Sequence, residues 1–481
     1  MRRVLVIGAG PAGLAAATAA RANGASVILL DAADELGGQY WRHLPAERPA
    51  ADERILHHGW SRFTALREGL ESDAGCEIIT GAQVWAVEAG TDAAPTVHAL
   101  IGPSDGGRRR GRSFTPDAVV FATGAHDRTL PFPGWELPGV FTAGAAQAFA
   151  KGERVAIGQR VVVAGAGPFL LPVAASLAQT GATVLGVYEA SRTAGLLRGW
   201  LPKPWQLLAS AKKGGELAGY LGSHIRNRIP YRLGRAVIAA HGNERVEAVT
   251  IARLDADWAP IPGTERRIAA DAVCVSHGFT PRLELPIAAG CRITGDGFVE
   301  VDAAQRSSIR GVYAAGEITG IGGADAALAE GGVAGHCAAG GDPSDRELRT
   351  TVRARGNAGG FAARIETAHG IRPGWTAWLG DDTIVCRCEE VPYGRLRDIA
   401  HDTCSSGLRS LKLSTRAGLG ICQGRVCGRT VEQLLGTAGG AGESVGSDRR
   451  PIAAPVRIGE LAGTLSPQDP TEHVQGKDTN V

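Results

Sequence analysis

The sequence predicts an α/β protein made of two Rossmann-like dinucleotide-binding domains and a small helical C-terminal module. Three observations carry this. A glycine-rich turn sits between an apolar strand and an Ala-rich helix at the N-terminus, a second copy of the pattern begins at Arg160, and four cysteines near the C-terminus are spaced C-x-C and C-x4-C. At 481 residues the chain is long enough for two to four domains, each with its own core.

In the first unit, Val4 to Ile7 read as a strand, Gly8-Ala9-Gly10-Pro11-Ala12-Gly13 as a tight turn, Leu14 to Ala22 as a helix and Val27 to Leu30 as the next strand, ending on Asp31. Gly8 permits the turn, Gly10 lets a pyrophosphate approach the backbone, and Gly13 lets helix and strand pack closely. The phosphates then lie on the helix N-terminus, and Asp31 is placed for an adenosine ribose hydroxyl. The bare glycine spacing is a weak signal; strand, helix and distal acid together make it strong.

The rest of the constellation points to FAD rather than NAD. Leu36-Gly37-Gly38-Gln39 follows the ribose acid. Val119 to Gly124 is an apolar strand ending in the small turn Ala122-Thr123-Gly124. A further strand, Gly311 to Ala315, ends on Gly316-Glu317, the position of an acid that meets a flavin's ribityl chain, here Glu where Asp is commoner. Gly322-Gly323-Ala324-Asp325 then opens an Ala-rich helix whose first amides, at Gly323 and Ala324, are placed to face the flavin pyrimidine edge.

The second copy runs from Val161 to Ala164, through Gly165-Ala166-Gly167-Pro168-Phe169-Leu170, to Val184 and Glu189. Its third glycine is replaced by Leu170, a bulk expected to push the helix off the strand and distort the phosphate cradle. Glu189 favours NAD over NADP, and Arg192 leaves that choice open. An additional nucleotide in this domain and a scaffold that holds none are both compatible with the turn. A dithiol mechanism is not expected, because no cysteine pair follows Asp31, and Cys76 and Cys274 are isolated.

Near the C-terminus stand Cys386-Arg387-Cys388 and Cys422-Gln423-Gly424-Arg425-Val426-Cys427. Four thiolates in this arrangement match a [2Fe-2S] cluster, in which each iron needs two sulfur ligands. Structural zinc sites mostly use C-x2-C knuckles, which these spacings do not supply. Cys404, between the pairs, is read as a separate thiol. Arg387, Arg416 and Arg425 are expected to raise the cluster's potential.

With 21% charged residues and a formal net charge of +2, nothing suggests a nucleic-acid binder. The Arg108-Arg109-Arg110 run reads as a solvated loop. The apolar run after Met1-Arg2-Arg3 is broken by glycines and used at once in the βαβ pattern, so it is not read as a signal peptide. No charge-free apolar stretch is long enough to span a bilayer, so membrane insertion is not expected. A cytoplasmic protein with free or metal-bound cysteines is expected.

On these motifs the sequence resembles the FAD-containing alpha subunits of heteromeric amine and amino-acid dehydrogenases: opine oxidases, D-hydroxyproline dehydrogenases and hydrogen cyanide synthases. The likeness runs to about Gly436. Its most specific pieces are Ala122-Thr123-Gly124-Ala125 leading to Pro131-Phe132-Pro133-Gly134-Trp135, Leu137-Pro138-Gly139-Val140, Thr319 to Ala324, and the cysteine segments, which resemble the bacterioferritin-associated-ferredoxin (BFD-like) [2Fe-2S] module. The fold implied is that of FAD/NAD(P)-binding, pyridine nucleotide-disulfide oxidoreductase-like proteins.

The resemblance implies that the substrate's C–N bond is oxidised in a separate glycine-oxidase-like flavoprotein beta subunit, from which this chain would relay electrons to an external acceptor. It leaves room for a small ferredoxin-like gamma subunit in the hetero-oligomer. The alternative is a self-sufficient NAD(P)H-dependent reductase serving a protein acceptor. The expected domains are 1–130 with 287–340 for FAD, 131–286 for the second nucleotide unit, 341–377 as a linker, 378–436 for the cluster and 437–481 as an extended tail.

Overall fold

The computed structural model describes the chain except for residues 91–93, 105–106, 108, 203–210, 406, 438–445, 451 and 466–481. Strands β1 (Arg3–Ile7), β2 (Ser26–Leu30), β3 (Cys76–Ile79), β4 (Ala118–Phe121) and a late strand, Val312–Ala314, form one parallel sheet in the order late strand, β4, β1, β2, β3. β1 and β4 are near-continuous apolar runs because both faces of a parallel sheet are covered. Helix α1 (Pro11–Ala22) starts with proline at its first position, where no helical N–H is lost.

From β4 the chain crosses to the second domain through β5 (Ala125–Asp127) and returns through Phe279–Pro281, which pairs with β5 antiparallel. The expected domain boundaries, 130/131 and 286/287, fall shortly after these two crossings. Between them lie β6 (Val140–Thr142), α2 (Ala143–Gly152), β7 (Arg160–Gly165), α3 (Leu170–Gln179), β8 (Thr183–Glu189), α4 (Thr193–Trp200), β9 (Tyr231–Leu233) and β10 (Ala272–Ser276). They form a second parallel sheet in the order β9-β8-β7-β10-β6. Each domain also carries a three-stranded antiparallel sheet, 82–114 in the first and 235–269 in the second.

Returning to the first domain, the chain adds β11 (Phe279–Pro281), β12 (Val312–Ala314, the late strand) and α5 (Gly323–Ala338). α5 lies hard against α1. A β-carbon on Gly331 would meet the Ala12 carbonyl oxygen and one on Gly335 the Ala16 carbonyl oxygen, both closer than any side chain allows. Small residues four apart thus let the two backbones touch.

The segment 341–377, expected as a linker, contains the 21-residue helix α6 (Arg349–His369), which packs on α5 of the first domain and on α4 of the second. Gly199 of α4 abuts Ala368, and Arg364 donates to the carbonyls of Gly199, Trp200 and Pro202. Beyond α6, Trp375 and Trp378 are buried, and Trp378 Nε1 donates to the Trp258 carbonyl. Burying two indoles removes roughly 200 Å² each from water, which is why this stretch is fixed in place.

The C-terminal module comprises the hairpin β13 (Ile384–Cys386) and β14 (Val391–Pro392) with helices α7 (Tyr393–Asp402), α8 (Leu408–Thr415) and α9 (Gly428–Thr437) around a core of Val385, Leu396, Leu411, Val431 and Leu435. The tail, expected as extended, carries helix α10 (Ile458–Leu465) and runs back over the first domain. Ala453 donates to the Trp85 carbonyl and is buried. Of the arginine run read as a solvated loop, Arg108 lies outside the described residues. Arg109 is buried instead, with its guanidinium forked onto Glu460 at 2.8 and 2.7 Å and donating to Gln83 at 2.6 Å. A tail acid 351 positions away supplies the partner, which no local pattern reveals. Among the described residues no helix is long and apolar enough to cross a membrane.

Arg109 holds the Glu460 carboxyl down to about 2, so the carboxylate's contribution to tail docking is present above the ordinary glutamate range and is lost as pH falls through about 2. Arg109→Ala should free the tail at neutral pH. Proteolysis near residues 446–465 should then be fast in the variant and slow in the parent.

Candidate functional sites

The first glycine turn fits a dinucleotide. Gly8 has φ +103°, and its missing β-carbon leaves room for the Ala122 carbonyl; a β-carbon on Gly13 would sit on the Gly8 carbonyl. Gly10 differs. A β-carbon there would meet only the Gly38 Cα, at 3.9 Å, so the space beside it is open, as a pyrophosphate requires. Asp31 is half-buried and its two carboxylate oxygens accept from the Ala9 and Ala33 amides at 2.5 and 2.8 Å. Burial pushes its carboxyl up.

Several of the other residues expected at this site pack round the same turn. Gly38 abuts Gly10, and Gly37, at φ +110°, packs against the fully buried Trp41, so the segment ending at Gln39 folds over the turn. Ala122 donates to Ile7 beneath the turn, Thr123 Oγ1 donates to the Arg282 carbonyl, and the Gly124 carbonyl accepts from Arg282. Gly316, at φ +83°, leaves space that Ala12 fills, which seats β12 against the start of α1 next to Pro11.

Glu317 bends back onto the N-terminus of α5, its Oε1 accepting the Gly323 amide at 2.8 Å. The Gly323 amide, expected with Ala324 to face a flavin, is instead capped by this acid. Burial and the nearby Glu330 carboxylate push Glu317 up to about 7. Glu330, which sequence reasoning missed, accepts from the Gly316 amide and from Thr319 Oγ1 at 2.8 and 2.6 Å. Lys151 on α2 was also missed. It donates to the Tyr40 carbonyl at 3.0 Å, next to the Gly38-Gln39 segment, and burial lowers it to about 8.

The second turn is built differently. α3 begins at Leu170, two residues after Pro168, whereas α1 begins at the matching Pro11. Leu170 is fully buried among Val161, Val163 and Val173. Glu189 is also fully buried, and its carboxylate accepts from the Gly167 and Ser191 amides, from Tyr231 Oη and from His369 Nδ1, at 3.0 to 3.3 Å.

The structure brings the four C-terminal cysteines into two pairs, Cys386 with Cys427 and Cys388 with Cys422, and among the described residues no three ligating side chains gather around a single metal position. Cys386 and Cys427 are buried; Cys388 is exposed. Glycines make room for them. A β-carbon on Gly420 would overlap that of Cys388, and the Gly418 amide points at Cys386 Sγ from 3.5 Å. With the Cys427 thiol and this N–H directed at it, the Cys386 thiol is held below the ordinary thiol range. Paired thiols, with amides aimed at sulfur, fit a two-iron cluster. Cys404 stands apart and exposed.

Of the three arginines expected to charge this site, Arg416 is paired with Glu389 and Arg425 with Glu284, at 2.6 and 2.8 Å, so their charge is largely answered. Arg387 lies over the Trp135 ring.

The cysteine loop is clamped to the crossing between domains. His126 Nε2 meets the Arg425 carbonyl at 3.0 Å, Thr129 Oγ1 donates to the Val426 carbonyl, Thr430 Oγ1 to the Thr129 carbonyl, and Arg128 to Gln433. Trp135 donates to Ile384 beside the first cysteine pair. His126 has no assignment from sequence; its partner lies 299 residues away.

Two dinucleotide folds joined to a paired-thiol module define a flavin- and iron–sulfur-type oxidoreductase. Residues 2–331 match the pyridine nucleotide-disulphide oxidoreductase family, which implies FAD, and residues 384–437 match the BFD-like [2Fe-2S] binding domain, which implies the cluster. The chain belongs to the pyridine nucleotide-disulphide oxidoreductase family, in the group that holds subunits of opine oxidase and of hydrogen cyanide synthase. It is 32% identical to an opine oxidase subunit of Rhizobium meliloti over 99% of this chain and 91% of the relative. It is 31% identical to hydrogen cyanide synthase subunit HcnB of Pseudomonas protegens over 88% of this chain and 89% of the relative. The fold is shared with the L-proline dehydrogenase from P. horikoshii, with a TM-score of 0.65 and 20% identity over 96% of this chain and 79% of that one.

Gly10→Ala should fold and lose flavin, because only the open space beside the turn is filled. Gly13→Ala should lose stability, because backbone stands in the way. Flavin content and the melting temperature of the two proteins separate these effects. In apoprotein, the raised Glu317 carboxyl binds its proton more tightly folded than unfolded. Stability should therefore fall by up to about 3 kcal/mol as pH rises from 4.5 to 7. Denaturant titrations of Glu317→Gln should lack this slope.

Proposed function

We propose that this chain is the electron-transferring subunit of a heteromeric amino-acid or opine dehydrogenase acting on secondary or primary amines. A glycine-oxidase-like flavoprotein beta subunit would take a hydride from the substrate's amine-bearing carbon as nitrogen loses a proton, giving an imine that water hydrolyses; a small ferredoxin-like gamma subunit could complete the complex, and this chain would hand the electrons to an external acceptor. When bound, the flavin accepts electrons in pairs and the cluster passes them singly.

In this reading Gly8, Gly10, Pro11, Ala12 and Gly13 cradle the FAD diphosphate, and Asp31 meets its ribose. Gly38, Gln39, Ala122, Thr123, Gly124, Gly316, Glu317, Gly323 and Ala324 line the rest of the cleft. Cys386, Cys388, Cys422 and Cys427 hold the cluster.

The observation that carries the reading is the docking of the Cys422–Cys427 loop. Its carbonyls at Arg425 and Val426 are held by His126 and Thr129, just after the Ala122-Thr123-Gly124 turn of the flavin cleft. Arg425 adds an ion pair to Glu284 beyond the returning strand. The loop that bears two cluster ligands is thus fixed to the rim of the flavin domain. The subunit names borne by relatives of near-equal length support a place within a larger assembly.

Cys422→Ala should remove iron and the electron paramagnetic resonance signal of dithionite-reduced protein while FAD stays bound. In the reconstituted complex the substrate should still reduce the beta-subunit flavin, and transfer to the acceptor should slow at least about tenfold. Stoichiometric zinc without iron in anaerobically prepared parent protein would overturn the relay.

A further inference from the structure

The chain contains two copies of one binding motif, so the first serves as an internal standard for the second. In the first turn the ribose acid is an aspartate. It takes the Ala9 amide, stays half-exposed, and leaves the position of Gly10 open. In the second the acid is Glu189, one methylene longer, and it reaches one residue further, to the Gly167 amide at 3.0 Å. Gly167 is the counterpart of Gly10 and, like it, has open space beside its Cα; what differs is that its amide, which would meet a phosphate, is occupied by the acid.

The remaining lone pairs of Glu189 are taken by the Ser191 amide, Tyr231 Oη and His369 Nδ1. Its exposure is 0%. A ribose diol would have to displace at least two of these donors from a buried carboxylate, which a neutral hydroxyl pair does at a loss.

His369 comes from the end of α6, outside the second domain. It also meets Ser191 Oγ and lies edge-on to Trp200. α6 is held there by the Gly199–Ala368 contact and by Arg364 on the carbonyls of Gly199 and Trp200 at the end of α4 and of Pro202 just beyond it. The first turn of α3 is wound more tightly than that of α1: Leu170 and Leu171 donate to the Gly167 and Pro168 carbonyls three residues back, where Leu14 donates to Gly10 four residues back.

We infer that α6 closes the second dinucleotide site from within, with His369 in the place of the adenosine ribose on Glu189, so that this domain binds no pyridine nucleotide. The inference does not rest on the relay function. It bears on it by removing the direct route for NADH electrons into the chain.

The test is calorimetric titration of the full chain, with its flavin, using NAD⁺, NADP⁺ and ADP-ribose in turn. The parent should show no saturable binding up to about 1 mM. The His369→Ala/Tyr231→Phe variant, which returns two acceptor positions to Glu189, should bind ADP-ribose at least about tenfold better, and adding Glu189→Gln should abolish the gain. Saturable sub-millimolar binding by the parent, competed by ADP-ribose and lost in Glu189→Gln, would overturn the inference. So would a variant that retains flavin and native circular dichroism yet binds no better than the parent. If the double variant loses its flavin, His369→Asn, which keeps most of the packing, replaces it under the same two criteria. A parent that binds NADH and still passes amine-derived electrons to its cluster would sink this inference and leave the relay standing. Zinc in place of iron would do the reverse.

Discussion

Gly13 has no room for a β-carbon, since one built there would lie 1.6 Å from the Gly8 carbonyl oxygen. This contact sets how closely α1 rides on β1, and much of the first domain follows from it. With α1 drawn in, its N-terminal amides face the cleft. Gly316 can then pack on Ala12, and Gly331 and Gly335 on the α1 backbone, which brings β12 and α5 across some three hundred residues of intervening chain to complete the cradle. Dispersion and apolar burial secure the arrangement, but hard-sphere exclusion defines it.

Where that glycine is absent, the same fold does something else. Leu170 is accommodated by starting α3 late, and its side chain strengthens the core between strand and helix. The longer acid then turns inward and becomes a hydrogen-bond hub for Tyr231, Ser191 and His369. A buried carboxylate with several donors holds its charge, and these donors keep Glu189 below the usual glutamate range despite complete burial. At the end of its second strand the second domain is thus closed around its acid, where the first leaves Asp31 half-exposed.

The cluster module is not a bead on a string. Its cysteine loop grips the crossing between domains, and the following tail crosses the first domain's antiparallel sheet, with Arg425 donating to the Ala453 carbonyl and Arg109 receiving Glu460. Glu284 takes ion pairs from both Arg425 and Arg450, so loop and tail meet on one carboxylate of the returning segment. The module is thus fastened to the body by its cysteine loop and by the tail that follows it.

Sequence alone determined the local features: the two strand–turn–helix units, the acids at their ends and the grouping of the four cysteines. Each rests on spacing within about forty residues and on residue types with few substitutes, glycine where backbone must approach and thiolate where iron must be held. What only the tertiary structure decided involves partners far apart in the chain. Asp31 and Glu189 look equivalent in sequence, yet His369, 180 residues on, helps to close one, and among the described residues no such helix end closes the other. Arg109 reads as a solvated loop residue until Glu460 arrives from the tail, and His126 has no meaning until the Arg425 carbonyl docks on it. Segment 341–377 reads as a link until Trp375 and Trp378 find Trp258. A hydrogen bond or apolar contact is decided by what shares its space, and for these residues that was set by how three domains pack.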